Sequence, residues 1–219
     1  MPSTDNLTSA ALSSLQNPGQ GSAPLPKVDD SIKPVLYIFR HCETTDNAER
    51  IFSGRRDPSL TPKGEEQAHQ LADLLRDKSI DLFLSPPQIR CKQTLAPLQK
   101  LFPNILYLPQ ENLKERDYGA LTGKNKLEIM KEFPEQAVLW RRSWDVPPPE
   151  GESLKQVWEE RVEPFCKWLE EKMKTEKINV AYCGTNHTMR LIRWYFGKMQ
   201  KEEMLAMENP YGDYASYQI

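Results

Sequence analysis

From Pro34 onward the apolar positions switch repeatedly between two periods. Val35–Phe39 is a short run of aliphatic and aromatic residues between Pro34 and a polar loop, which predicts a strand. Thr61-Pro62 then opens a helix, with Thr at the N-cap, Pro at the first helical position, and Ala68, Leu71, Leu74 and Leu75 on one face. Ile80–Leu84 reads as a second strand, the stretch after Pro87 as a second helix, and Ile105–Leu108 as a third strand. Ser153–Lys174 carries Leu154, Val157, Trp158, Val162, Phe165 and Leu169 at helical spacing, with a kink expected at Pro164. Ile178–Cys183 is another strand, followed by a helix through Met189, Ile192 and Phe196. Strands alternating with helices predict a three-layer α/β/α domain with a mostly parallel sheet over 34–219. In such a fold the active site lies at the carboxyl ends of the strands, near a topological switch point.

Residues 1–33 read differently. Ser13–Pro26 is Ser, Gln, Asn, Gly, Pro and Ala apart from Leu15 and Leu25, with neither period present. Such a composition offers little apolar area against the entropy of ordering, so a disordered N-terminal tail is expected, a partner-docking tail being the alternative. No internal repeat is found. With 29 Lys and Arg against 31 Asp and Glu, the net charge of −2 argues against a nucleic-acid binder. No apolar run approaches the roughly 18 residues that span a bilayer, so no membrane partner is expected. The N-terminus has no basic start and no apolar core of a signal peptide, so a cytoplasmic protein is expected. The glycosylation patterns at Asn6-Leu7-Thr8 and Asn186-His187-Thr188 are accordingly set aside. Cys42, Cys91, Cys166 and Cys183 show no metal-ligand spacing and read as reduced thiols. His69 reads as an exposed helix residue, Met199, Met204 and Met207 as core filler, and Trp158 and Trp168 as packing residues.

The chemistry concentrates after the first strand, in Arg40-His41-Cys42-Glu43-Thr44-Thr45-Asp46-Asn47. A histidine leaving a buried strand beside an arginine stands where a catalytic group belongs. Ser53-Gly54 and Leu60-Thr61-Pro62-Lys63-Gly64 follow at loop-to-helix spacing, and Arg90 follows the second strand. Two arginines converging on one histidine suit a phosphoryl group, because guanidinium forks match its oxygens and stabilise it during transfer. Lys126, Arg141 and Arg142 concentrate further positive charge in a chain of nearly balanced charge.

These motifs resemble the histidine phosphatase superfamily, the phosphoglycerate-mutase-like proteins. The Arg40–Asn47 block is similar to that family's Arg-His-Gly-Glu-Ser/Thr-x-x-Asn signature, and Gly54, Asp57, Leu60-Thr61 and Gly64 continue it. Glu115-Arg116-Asp117-Tyr118-Gly119-Ala120-Leu121-Thr122-Gly123-Lys124-Asn125-Lys126 and Trp140-Arg141-Arg142-Ser143-Trp144-Asp145-Val146-Pro147-Pro148-Pro149 resemble segments of its 2,3-bisphosphoglycerate-dependent mutase branch. The resemblance implies that His41 becomes a phosphohistidine, with Arg40 and Arg90 holding the equatorial oxygens and Glu115 as general acid and base. It implies that Arg116, Tyr118, Lys126, Arg141 and Arg142 hold the substrate's carboxylate and second phosphate. Asn47, Ser53, Gly54, Asn186 and His187 complete the implied substrate contacts. The implied reaction is interconversion of 3-phosphoglycerate and 2-phosphoglycerate, primed by 2,3-bisphosphoglycerate, with no metal and no nucleotide. The expected partner is a small phosphorylated metabolite; a homo-oligomer is left open.

Two departures from the family stand out. Its second histidine, at the end of the last parallel strand, falls on Thr185 when counted back from Met189-Arg190, or on Cys183 in a shifted register. His187, two residues on, is a candidate to supply the lost imidazole or else a helix-cap histidine. Cys42 replaces a glycine and would be strained if that backbone needs positive φ. These departures, and a span from Arg142 to Thr185 that looks shorter than in the mutases, keep two alternatives open. One is a phosphomonoesterase of the same family; the other is a degenerate, non-catalytic binder of phosphorylated ligands.

Overall fold

The computed structural model describes residues 4–16, 19–21 and 23–219 of the 219-residue chain. Among the described residues a five-stranded sheet forms the centre, made of β1 (Val35–Arg40), β2 (Leu82–Ser85), β3 (Leu106–Pro109), β4 (Val180–Gly184) and β5 (Tyr214–Gln218). Their order is β3-β2-β4-β1-β5. The pairs β1–β4, β2–β4 and β2–β3 are parallel, and only the edge strand β5 runs antiparallel, against β1.

Side chains alternate along β1 as the pleat requires. Val35, Tyr37 and Phe39 face one layer, where α3 (Pro62–Leu75) and α4 (Ile89–Leu101) bury Leu71, Leu75, Leu95 and Leu98. Leu36 and Ile38 face the other, with α8 (Glu163–Glu176), α9 (Asn186–Gly197) and α10 (Lys201–Ala206). The remaining helices are α1 (Thr4–Gln16), α2 (Thr45–Ala48), α5 (Lys126–Glu132), α6 (Pro134–Arg142) and α7 (Leu154–Val157).

Thr61 caps α3 as its sequence position predicts, its hydroxyl accepting from the Gly64 amide at 3.0 Å. Gly64 is required by contact: a Cβ there would lie 2.0 Å from the Glu43 carbonyl oxygen. Leu74, expected to face inward, is 51% exposed, because the buried stripe runs through Ala68, Leu71, Ala72 and Leu75. The predicted long helix is α7 and α8 joined by a π-helical segment, Trp158–Val162. Pro164 has no amide hydrogen, and the wide turn ahead of it relieves its ring of the carbonyl four residues back. Trp158 packs against Trp194, at 4.9 Å between centroids, but Trp168 is 41% exposed and only flanks Phe165.

The N-terminal segment departs most from expectation. Where a disordered tail is predicted, α1 packs on α6 and α10 through fully buried Ala11 and nearly buried Leu15. Residues 26 to 28 run along β5, with the Ser216 amide donating to the Pro26 carbonyl and the Val28 amide to the Ser216 hydroxyl. Composition gives no sign of these contacts because their partners lie far along the chain. Residues 1–3, 17, 18 and 22 of the predicted tail lie outside the described residues.

Candidate active site

β1 delivers the first group. Immediately after it, the His41 amide donates to the Gly184 carbonyl at 2.9 Å, which pins the end of β1 to the end of β4. The imidazole is buried, and its Nδ1 lies 2.8 Å from the Cys42 carbonyl oxygen. A carbonyl only accepts, so Nδ1 carries the hydrogen and Nε2 keeps its lone pair. Burial, then the charges of Arg90 and Arg40, hold the ring's pKa well below the usual histidine value. The result is a neutral imidazole with a free Nε2, which is the form a nucleophile needs.

His41 lines a cavity of about 90 Å³. Arg40 reaches it over the Tyr211 ring, 4.5 Å from the centroid, and donates to the Asn209 carbonyl at 3.2 Å. Arg90, at the start of α4, is held by the carbonyls of Arg56 (2.7 Å) and Gly54 (3.1 Å). The Gly54 backbone sits at φ +49°, a conformation glycine adopts freely. Asn47 and Ser53 also line the cavity, and the Asn47 side chain closes a capping box with Thr44. Lys126, Arg141, Arg142, Tyr118 and Asn186 line it as well. Crowding by like charge shows in two of them. Burial, then Arg141 and Arg40, push Lys126 down to about 7, while burial, then Arg142, push Arg141 down to about 10.

Glu115 and His187 meet on the same wall. Glu115 Oε1 accepts from the Arg116 amide at 2.8 Å and lies 3.2 Å from His187 Nδ1; Oε2 accepts from the His187 amide at 3.3 Å. Burial by itself would raise this carboxyl, but His187, the Arg116 amide and Arg90 outweigh it and keep Glu115 ionised. Burial, against the pull of Glu115, brings His187 down to about 4. Neutral His187 beside a carboxylate donates from Nδ1, so its Nε2 has no hydrogen to offer a phosphoryl oxygen.

Not every expected residue is on the wall. Arg116 is fully buried behind it, its guanidinium 4.6 Å from the Tyr118 centroid and bonded to the Trp140 carbonyl at 2.6 Å. The strand register separates the two positions counted for the lost histidine. Arg40 pairs with Gly184, so the next residue, Thr185, falls beside His41. Its hydroxyl turns to Thr188 Oγ1 at 2.9 Å. Cys183, the other register, points into the core with Phe39 and Cys91. Cys42 is free of positive φ; its amide donates to Thr94 Oγ1 at 2.9 Å, and burial raises its thiol to about 11. That thiol is protonated and inert.

Six wall residues lie outside the motifs: Ser14, Leu15, Gly19, Arg50, Glu208 and Tyr211. Glu208 forms ion pairs with Arg142 and, at 2.9 Å, with Arg190; Tyr211 and Arg50 complete this side. Glu208 and Tyr211 come from the loop before β5 and carry no local signature. Arg40, Arg90, Arg142 and Arg190 each retain a buried donor nitrogen without a partner among the described residues. Buried donors around one cavity call for an anion. Among the described residues no three His, Cys, Asp or Glu side chains cluster as around a metal ion, and no helix is long and apolar enough to cross a membrane.

A mostly parallel α/β sheet with a neutral histidine among arginines at the carboxyl ends of its strands is the architecture of a phosphoryl-transfer enzyme. The chain belongs to the histidine phosphatase superfamily (branch 1), whose family model matches residues 36–219. It is 33% identical over 192 residues to a 2,3-bisphosphoglycerate-dependent phosphoglycerate mutase of Parvibaculum lavamentivorans, covering 84% of this chain and 90% of that one. A mutase of the same description from Methylocella silvestris is 35% identical over 179 residues, covering 80% and 86%. Among solved structures, the alpha-ribazole phosphatase of Shigella flexneri superposes with a TM-score of 0.72 at 26% identity, covering 84% and 89%. The protein is thus an enzyme of the phosphoglycerate mutase or histidine phosphatase kind.

Proposed function

We propose that the protein is a cytoplasmic phosphoglycerate mutase that transfers a phosphoryl group through His41, interconverting 3-phosphoglycerate and 2-phosphoglycerate. The observation that carries this reading is the 2.8 Å contact of His41 Nδ1 with the Cys42 carbonyl: that oxygen takes the Nδ1 hydrogen, which leaves Nε2 without one in a cavity lined by Arg40 and Arg90. The Nε2 lone pair forms the bond to phosphorus as the phosphate ester oxygen leaves, and the two guanidinium groups stabilise the equatorial oxygens. In the return step a substrate hydroxyl attacks the phosphohistidine and its proton passes to Glu115; the reverse step gives that proton back to the leaving oxygen. An ionised Glu115 suits the attack on the phosphohistidine; in the priming step before it, Glu115 must first take a proton from solvent to give to the leaving oxygen.

Lys126, Arg141, Arg142 and Arg190 would hold the carboxylate and second phosphate of 2,3-bisphosphoglycerate, whose role is to supply the priming phosphoryl group. The unpartnered buried nitrogens of Arg142 and Arg190 fit that demand. His187 holds Glu115 in place rather than replacing the lost imidazole, since its one ring hydrogen is committed to the carboxylate.

A second reading, a phosphomonoesterase in which water captures the phosphohistidine, is favoured by one observation. Arg141 and Arg142 are engaged by α1, which leaves the phosphoryl end of the cavity less encumbered than the other. A coupled assay on the purified chain separates the two. Isomerisation of 3-phosphoglycerate only after priming, with acid-labile label on His41, is the expected result. Phosphate release without isomerisation establishes the esterase, and an unlabelled His41 in an enzyme that turns over removes the covalent route.

A further inference from the structure

The C-terminal half of α1 lies against the basic wall of the cavity. Arg141 Nη1 donates to the Ala11 carbonyl at 2.8 Å and Arg141 Nη2 to Ser14 Oγ at 2.7 Å. Arg142 Nη2 donates to the Ala10 carbonyl at 3.1 Å, and Arg50 Nε to the Leu15 carbonyl at 3.1 Å. Three arginines thus bond to the last two turns of α1, and Arg50 reaches a carbonyl of the final turn, where backbone dipoles leave a partial negative charge. Ser14 and Leu15 line the cavity directly. Ala11 and Leu15 on the docked face are buried, and Leu12 on the outer face is 45% exposed.

We infer that α1 is an internal competitor of the ligand: its carbonyls and the Ser14 hydroxyl occupy the cations that a second anionic group would use. While docked it admits a compact monophosphorylated ligand at the His41 end. A ligand with two phosphates displaces it, because phosphate oxygens make stronger, charge-assisted bonds to guanidinium than neutral carbonyls do. The inference rests on the reading that Arg141 and Arg142 grip the ligand's second anionic group, and it makes α1 a determinant of specificity. The apparent affinity for a doubly anionic ligand is reduced by the fraction of molecules in which α1 is docked.

The test uses the full chain with inorganic phosphate and pyrophosphate as probes, measured by calorimetry. Ala11→Trp cannot be accommodated where no part of Ala11 is exposed, and Ala11→Pro breaks the helix; either undocks α1. Pyrophosphate should then bind about tenfold more tightly, as for a site only a tenth available in the parent. Phosphate affinity should stay about the same. In the unaltered protein, saturating pyrophosphate should speed amide hydrogen exchange across residues 4–16, a result that needs no variant to fold.

Slower exchange there, or equal loss of both affinities on undocking, would show that α1 closes over the ligand and overturn the inference. Unchanged affinities and unchanged exchange overturn it equally. If undocking strengthens pyrophosphate binding while 2,3-bisphosphoglycerate neither binds nor primes turnover, the competitor role stands and the phosphoglycerate reading falls.

Discussion

His187 Nδ1 lies 3.2 Å from Glu115 Oε1, and the His187 amide donates to the other oxygen of the same carboxylate at 3.3 Å. His187, at the start of α9, therefore helps to fix the position of the carboxylate, and with the Arg116 amide and Arg90 keeps it ionised. A base held this way contributes most when the oxygen it serves is a poor leaving group. Glu115→Gln, which keeps the size and loses the charge, should lower turnover of an alkyl phosphate by about 10² to 10⁴-fold. An aryl phosphate with an acidic phenol leaving group should lose far less. Equal losses in kcat on the two substrates would show that Glu115 organises the site without moving a proton.

The same pair sets an acid limit on stability. His187 binds its proton near pH 6.5 when unfolded and at about 4 when folded. The unfolded chain therefore holds more protons in that window, and folding stability falls as pH drops from 6.5 toward 4. Glu115, whose folded pKa is depressed, adds further loss as pH falls below its ordinary value. His187→Gln removes the first titration while keeping an amide donor for Glu115. Its Tm should fall less steeply between pH 6.5 and 5 than that of the parent, the remaining slope coming from His41, whose folded pKa is depressed too; parallel curves would mean that His187 does not titrate there.

Much of the fold is legible because buried strands are written as short apolar runs; β1 falls within one residue of its expected ends and β4 within two. The antiparallel edge β5 is not, since Tyr-Ala-Ser-Tyr-Gln lacks such a run and gains its place by pairing with β1. Helix α1 is hidden for another reason. Arg141, which bonds to it, is 130 residues away, and no window of local composition contains both. Within the site, His41, Arg40, Arg90 and Glu115 are readable because each follows a strand or sits in a dense motif. Glu208 and Tyr211 arrive through tertiary folding of the loop before β5. Arg116 has a motif position like its neighbours, yet the chain turns it behind Tyr118, and spacing alone does not encode that turn.

Lys126 gives the basic wall a pH dependence. Its ammonium titrates at about 7, against an ordinary 10.5, because burial and then Arg141 and Arg40 disfavour the charge. Above pH 7 the free protein presents a neutral amine, and binding of a doubly phosphorylated ligand must draw in a proton. The Kd for 2,3-bisphosphoglycerate should therefore rise with pH above 7, by up to about tenfold per unit. Lys126→Arg keeps the charge over this range and should flatten the dependence. A profile unchanged by the substitution would assign the titration elsewhere.

Thr185 falls next to His41 across the β1–β4 pairing, and its hydroxyl is spent on Thr188 rather than on the cavity. An imidazole there would add one charge-assisted hydrogen bond to the phosphoryl group in flight, about 1.5–3 kcal/mol. At 1.4 kcal/mol per decade, Thr185→His should raise the rate of phosphoryl transfer by roughly ten- to a hundredfold, measured as single-turnover labelling of His41. The position is fully buried, so the larger ring must displace neighbours, and a melting curve should accompany the kinetics. His187→Ala supplies the contrast. Because His187 is committed to Glu115, its loss should slow proton-dependent turnover of an alkyl phosphate and spare labelling by a substrate with a good leaving group. If His187→Ala slows labelling on both substrates and Thr185→His accelerates neither, then His187 does fill the place of the lost imidazole, and the hydrogen assigned to its Nδ1 belongs on Nε2.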